Sequence, residues 1–369
     1  MNRPVEIARA GFGRTITTND VRHDGNIFNI LRLVFASAVI FSHGYILTGV
    51  TDPSTTILPF SVSRFAVLLF FTLSGFLVTN SLQTRSVGQF ALARGLRMLP
   101  GLWVMLIVTA IGVCTAFGTV PLAALPGNAS LWQYLVTNGF FLGGRYSIEG
   151  VFLANPIPML VNGSLWTIPR EVQCYVALAI VSGLGLLHRR HLILACYGIG
   201  IVLHLLLPPD LVPALFALRP LAISFFAGVL LFLYREKVYL SWPLAALVIG
   251  LTAISDAGPW RELAAQLAAA YVALVVAILV PAGCKRFSQA MPDYSFGIYI
   301  YAFPLQQMMI AVGIGATPAS NIGMTLLCVL PVAALSWHLI EKPALAYKNR
   351  GSRRLIPPPS PESSPIQPR

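Results

Sequence analysis

Long apolar runs separated by short polar joints make up most of this 369-residue chain. A helix needs about 20 mostly apolar residues to cross the hydrocarbon core of a bilayer. Ten runs reach or approach that length: Ile27–Leu47, Phe65–Ser81, Met98–Phe117, Val172–Leu187, Leu192–Leu207, Leu215–Leu233, Trp242–Ile254, Leu263–Pro281, Tyr294–Gly313 and Asn321–Ile340, the seventh being the shortest. The pattern predicts an all-α integral membrane protein, a bundle of about ten transmembrane helices. Two stretches fall outside it. Residues 118–170 form one long loop rich in Gly, Pro, Asn and aromatics. Its Leu131–Leu142 portion is too short to cross and reads as an interfacial or re-entrant helix. Residues 344–369 turn basic and then Pro- and Ser-rich, a composition that cannot bury a core and predicts a disordered end. The polar tail at 1–25 places the first apolar run too late for a secretory signal, so that run reads as an uncleaved anchor. Residues 26–343 are then one membrane domain. No internal repeat is evident, which weighs against transporter folds built from repeated halves.

Composition agrees. The chain is 56% hydrophobic and only 10% charged, against about 25% charged in an ordinary soluble domain. Its net charge of +12 would suggest nucleic acid in a soluble protein. Here the cations sort by side instead, and no polyanion partner is needed. Nineteen Lys and Arg fall in the two tails and in the joints at 85–97, 189–190, 235–237 and 285–286. Arg64, Arg145, Arg170, Arg219 and Arg261 are the five on the opposite side, and Arg32 lies inside the first run. By the positive-inside rule this puts both termini in the cytoplasm, the 118–170 loop outside, and the protein in an inner (plasma) membrane with an even number of spans. The five cysteines lie in or beside apolar stretches, as small packed side chains do, and show no metal-ligand spacing.

Ionisable groups at membrane depth are costly, and so are functional candidates. Arg32 and His43 are eleven residues apart on the first run, almost three helical turns. They share a face about 16 Å apart along the axis. Taken singly, Arg32 also suits an arginine snorkelling to head groups, and His43 an interfacial polar residue. Ser74-Gly75 on the second run suits close helix packing. A serine nucleophile there would want His43 as base, but Ser74 falls nearer the cytoplasmic side. Arg94 and Arg97 share a face before Pro100, and two guanidiniums so placed can hold phosphate oxygens; ordinary positive-inside charge reads the same way. Ser164-Leu165-Trp166 leads through Pro169 to Glu171 and Tyr175. Glu171 suits simple helix capping, but its position also predicts a carboxylate at the depth of His43, where it would orient the imidazole and raise its basicity. His338 and Glu341 share a face at the end of the last run and read as a helix-end cluster, and His204 reads as structural.

Taken in order, Arg32 with His43, Phe70-Phe71-Thr72-Leu73-Ser74-Gly75-Phe76, Arg94-Gly95-Leu96-Arg97 with Pro100, Ser164-Leu165-Trp166 with Glu171 and Tyr175, and Ile340-Glu341-Lys342-Pro343 resemble the acyltransferase-three type of integral membrane acyltransferases. Members of that family modify cell-surface and secreted glycans. The resemblance covers about residues 27–343. It implies a cytoplasmic acyl-CoA donor, usually acetyl-CoA, as co-substrate, with no permanently bound cofactor. It also implies a sugar hydroxyl as acceptor, on a glycan or a lipid-linked saccharide. Carried over by position, His43 and Glu171 are the catalytic candidates, and Arg32, Arg94, Arg97, Ser74, Trp166 and Tyr175 the donor- or substrate-binding ones. Some relatives add an outer hydrolase-like domain; with a short tail instead, this chain is expected to hand over the acyl group within the membrane domain. The rival reading is a transporter or flippase for a lipid-linked glycan that uses the same charges as a relay.

Overall fold

The computed structural model describes residues 13–21, 25–208, 213–255 and 258–347. Each of the ten apolar runs is a helix, and the described chain is nearly all-α. The helices are α1 (Phe28–Leu47), α2 (Val62–Thr84), α3 (Val87–Phe117), the short α4 (Ala129–Gly139), α5 (Thr167–Gly183), α6 (Arg190–Leu206), α7 (Pro213–Leu233), α8 (Trp242–Ile254), α9 (Pro259–Leu279), the short α10 (Ala282–Ala290), α11 (Ser295–Ala311) and α12 (Pro318–Ser336). Five of them, α1, α2, α3, α9 and α12 with its continuation to Tyr347, are long and apolar enough to cross a membrane. The α4 helix is the short one expected within the 118–170 loop.

Local chemistry sets the ends. Ser86 and Gln89 close a reciprocal capping box at the start of α3, and Thr317 with Ser320 does so at α12, satisfying amides that a helix start leaves without partners. At 31 residues, α3 is about 46 Å long, well beyond a bilayer core of about 30 Å. Its first three turns, with Arg94 and Arg97, therefore overhang the apolar layer. Beyond Ser336 the last helix passes through a π turn at Trp337–Glu341, a local widening often found at functional sites.

The tightest seam joins α2 and α7. A Cβ on Gly75 would stand 1.9 Å from the Phe225 carbonyl oxygen, and one on Gly228 would stand 2.0 Å from that of Thr72. Only glycine fits at either place, so the two backbones touch directly. The close-packing reading of Ser74-Gly75 therefore holds for Gly75, while Ser74 faces elsewhere.

Residues 13–21 of the expected polar tail are folded against the bundle. Gly13–Thr15 (β1) pairs antiparallel with Tyr239–Ser241 (β2), and the Ile16 amide donates to the Arg235 carbonyl at 3.3 Å. Ile16 is buried, and Arg14 and Asp20 form a two-armed ion pair at 2.5 and 2.6 Å. The tail thus lies on the same face as the basic 235–237 joint. Residues after Tyr347, where the disordered end is expected, lie outside the described residues.

Candidate active site

Two guanidiniums and two carboxylates meet where α1, α3, α11 and α12 converge. Arg32 donates through Nη1 to Asp293 at 3.0 Å, and Arg97 donates through Nη2 to the same Asp293 oxygen at 2.7 Å. The other arm of Arg97 reaches Glu341 at 2.7 Å. The network continues outward from the acids: Ser295 Oγ donates to Asp293 at 2.5 Å, and Ser336 Oγ to Glu341 at 3.0 Å. The Arg97 guanidinium also lies over the Phe296 and Trp337 rings at 5.5 and 5.4 Å, a cation–π contact on each side. Gly101 leaves the room that Glu341 needs, since a Cβ there would meet its side chain at 3.3 Å. Burial acts to raise the Asp293 pKa, but the Arg32 and Arg97 charges and the Ser295 hydrogen bonds prevail and hold it below the usual carboxylate range.

Glu171 lies at the depth of this cluster and away from His43. Its Oε1 accepts from Ser74 Oγ at 3.0 Å and from the Tyr175 hydroxyl in a short bond. A hydrogen bond from the Ser63 amide to Ser42 Oγ at 3.0 Å levels α2 against α1 beside His43. Ser74 is eleven residues down α2 from Ser63, hence about 16 Å deeper. That is the depth of Arg32, whose charge interacts with those of Glu171 and Tyr175. The expectation that Glu171 orients the His43 imidazole is thereby corrected.

The cause is the end of the 118–170 loop, which does not stay outside the bundle. It descends along α11: Gln307 Nε2 donates to the Ile157 and Leu160 carbonyls at 3.0 and 2.7 Å. Further down, Asn162 Nδ2 donates to the Ile300 carbonyl at 2.8 Å, the Tyr299 hydroxyl donates to the Ser164 carbonyl at 2.9 Å, and Thr167 Oγ1 lies 2.6 Å from the Tyr299 hydroxyl. These bonds satisfy irregular backbone at a depth where water cannot. From Gln307 to Tyr299 the descent is about 12 Å, so α5 begins deep in the bundle and Glu171 lies a further turn down.

His43 stands alone at the other end. Its ring packs edge-on to Phe303 at 5.1 Å between centroids, and its Nδ1 is buried with no hydrogen-bond partner among the described residues. Between the two ends lie Tyr299 and Phe70, 6.1 Å apart, with Phe35 5.7 Å from Phe70. Arg32, Ser74, Glu171, Tyr299 and His43 all keep partial surface exposure although they lie among packed helices.

The remaining candidates divide. Arg94 lines a cavity of about 210 Å³ with Phe90, Met98, Phe141 and Tyr175, and its Nε is buried without a partner among the described residues. Trp166 is 37% exposed and makes no polar contact with the cluster. The sequence reading omitted Asp293, and it placed Glu341 in a helix-end group with His338. Across the π turn the two part company: Glu341 turns inward to Arg97, while His338 Nε2 lies 3.2 Å from the Tyr294 hydroxyl at the surface. An acid after Pro292, on the cation-rich side of a chain with only 13 acids, is the signal that could have found Asp293.

A family model described as an acyltransferase domain matches residues 26–341. An O-acetyl transferase of Shigella phage Sf6 is 28% identical over 348 residues, covering 87% of this chain and 96% of that protein. Nodulation protein 10 of Rhizobium leguminosarum bv. viciae is 26% identical over 360 residues, covering 88% and 94%. No solved structure matches the chain.

Proposed function

Because the chain belongs to the acyltransferase-three family and is an O-acyltransferase, we propose that it moves an acyl group, acetyl first, from cytoplasmic acyl-CoA to a hydroxyl of a cell-surface or secreted glycan. In this reading the ten apolar helices all span an inner membrane, with both termini in the cytoplasm. The observation that carries it is the file of partly exposed polar side chains from the Arg32–Asp293–Arg97 cluster to His43, about 16 Å along α1.

The arginine end receives the coenzyme phosphates. Arg94, which makes no ion pair among the described residues, is the first donor to the phosphates, and Arg97 and Arg32 are held in place beside it by Asp293 and Glu341. The pantetheine arm runs past Glu171, Tyr175 and Tyr299. Glu171 Oε2 receives no hydrogen bond from the described residues, which leaves it free to accept an amide N–H of that arm. At the far end His43 is the general base. It takes the proton from the sugar hydroxyl as the hydroxyl oxygen forms its bond to the thioester carbonyl carbon. The carbon–sulfur bond then breaks, and the coenzyme thiolate leaves with the proton returned by the imidazolium. An acyl-His43 intermediate requires the same placement and remains the alternative order of events.

The test is covalent transfer. Purified protein with labelled acetyl-CoA and a glycan is expected to label the glycan, and surface glycans from cells lacking the gene are expected to lose an acetyl mass increment. Movement of a saccharide across the bilayer with no label incorporated would overturn the proposal.

A further inference from the structure

The cavity beside Arg94 is apolar in a place where lipid does not account for it. Its α3 wall, from Phe90 to Met98, lies almost wholly within the first three turns, which overhang the hydrocarbon layer. Small residues make the space: Ala91 and Gly95 stand about one turn apart on α3, and Ala179 lines it from α5. Rings close it. Phe90 and Tyr175 meet edge-on at 6.0 Å between centroids, and Phe141 lines it from just beyond α4. Phe141 is held there at φ 60°, a left-handed conformation that an aromatic residue seldom adopts and that gathers at ligand sites.

Two side chains tie the cavity to the polar file. Arg94 lines it, and its buried Nε has no partner among the described residues. Tyr175 turns its ring to the cavity while its hydroxyl donates to Glu171 in the file. Size narrows the occupant. Pockets that take a whole drug-sized ligand run to about 300–1,000 Å³. At about 210 Å³, this one suits a single fused ring system. A lining of aromatic rings with a guanidinium among them favours a heteroaromatic base, which stacks on rings and guanidinium alike.

We propose that this cavity is the adenine subsite of the donor coenzyme, a reading that deepens the acyl-CoA proposal and rests on it. The base lies against Phe90 and Phe141. Its phosphates then fall at Arg94 and, about one turn further along α3, at Arg97 with Arg32. From there the pantetheine arm leaves past Tyr175 and Glu171 toward His43. The nucleotide stays on the cytoplasmic overhang, and the arm alone enters the bundle.

Calorimetric titration of the full-length protein in detergent compares three ligands. They are coenzyme A, dephospho-coenzyme A, which keeps the adenine but lacks the ribose phosphate, and phosphopantetheine, which lacks the whole nucleotide. Both adenine-bearing ligands are expected to bind at about tenfold lower concentration than phosphopantetheine. Gly95→Leu fills the cavity; a Cβ there would meet Leu99 Cδ1 at 3.7 Å, an ordinary contact, so the backbone need not move. The variant is expected to lose the tenfold advantage while phosphopantetheine binds as before. If it fails to insert, Phe141→Gly carries the test from the other wall, since it removes a ring and suits the left-handed backbone. Equal binding of dephospho-coenzyme A and phosphopantetheine by the wild type would overturn the subsite alone. So would an unchanged advantage in a variant, or an equal loss for all three ligands. Failure of every ligand to bind the wild type would instead remove the acyl-CoA donor, and the subsite with it.

Discussion

The two ends of the polar file are built on opposite principles. At the arginine end nearly every charge is answered: Asp293 by Arg32 and Arg97, Glu341 by Arg97, and Glu171 by two hydroxyls. At the other end one imidazole nitrogen has no partner, and an aromatic ring is its neighbour. A site that grips a constant, highly charged donor gains from preorganised charges. A site that must accept a proton during the reaction gains from a group that the protein has not already engaged. On the proposed reading, the difference teaches that the chemistry waits on the acceptor: the hydroxyl itself brings the partner that His43 lacks.

Five substitutions break or sharpen this contrast. The largest effect is expected from His43→Ala, which removes the base and should lower label transfer by roughly 10²–10⁴-fold with membrane insertion unchanged; near wild-type turnover would end the assignment. Next, Asp293→Ala leaves two guanidiniums facing one another and should cost about 3–5 kcal/mol of stability, read as a lowered unfolding temperature in detergent. The same carboxyl sets an acid limit. Its pKa is lower folded than free, so its contribution is complete above the ordinary carboxylate value and is lost only as pH falls through the depressed one; the Asp293→Asn variant should lose that acid-side dependence. Arg97→Lys keeps the charge but not the two-armed geometry, and should raise the apparent KM for acetyl-CoA by about tenfold with a smaller change in kcat. The smallest effect is expected from Glu171→Gln, a change of less than about tenfold in kcat that leaves the pH–rate profile in place, because Glu171 stands about 16 Å below His43. A shifted profile in that variant would mean that the two ends communicate after all.

The helices were legible because apolar run length alone decides what a bilayer accepts, whereas the Lys and Arg pattern gives each joint an expected side only. Depth was another matter. The sequence assigns Glu171 to the outer end because it opens a run that follows an outside loop, and hydropathy has no means of telling that Asn162, Ser164 and Thr167 tie that loop to the middle of α11. Those are single polar contacts between residues more than 130 positions apart. Asp293 escaped for a related reason: sorting cations by side says nothing about which acid returns to meet them. The π turn likewise rotates Glu341 away from His338, which a regular 3.6-residue period would have kept together.

The contact of Gly75 and Gly228 with the opposing backbone has a mechanical consequence. Two main chains in direct touch can neither slide nor part without losing every atom-to-atom contact at once, so α2 and α7 form a keel. If donor and acceptor are those proposed above, the breathing that admits a bulky sugar and releases spent coenzyme comes from the opposite wall, where α11 and the descending loop are held by hydrogen bonds. On the proposed reading, turnover moves that wall against a fixed spine.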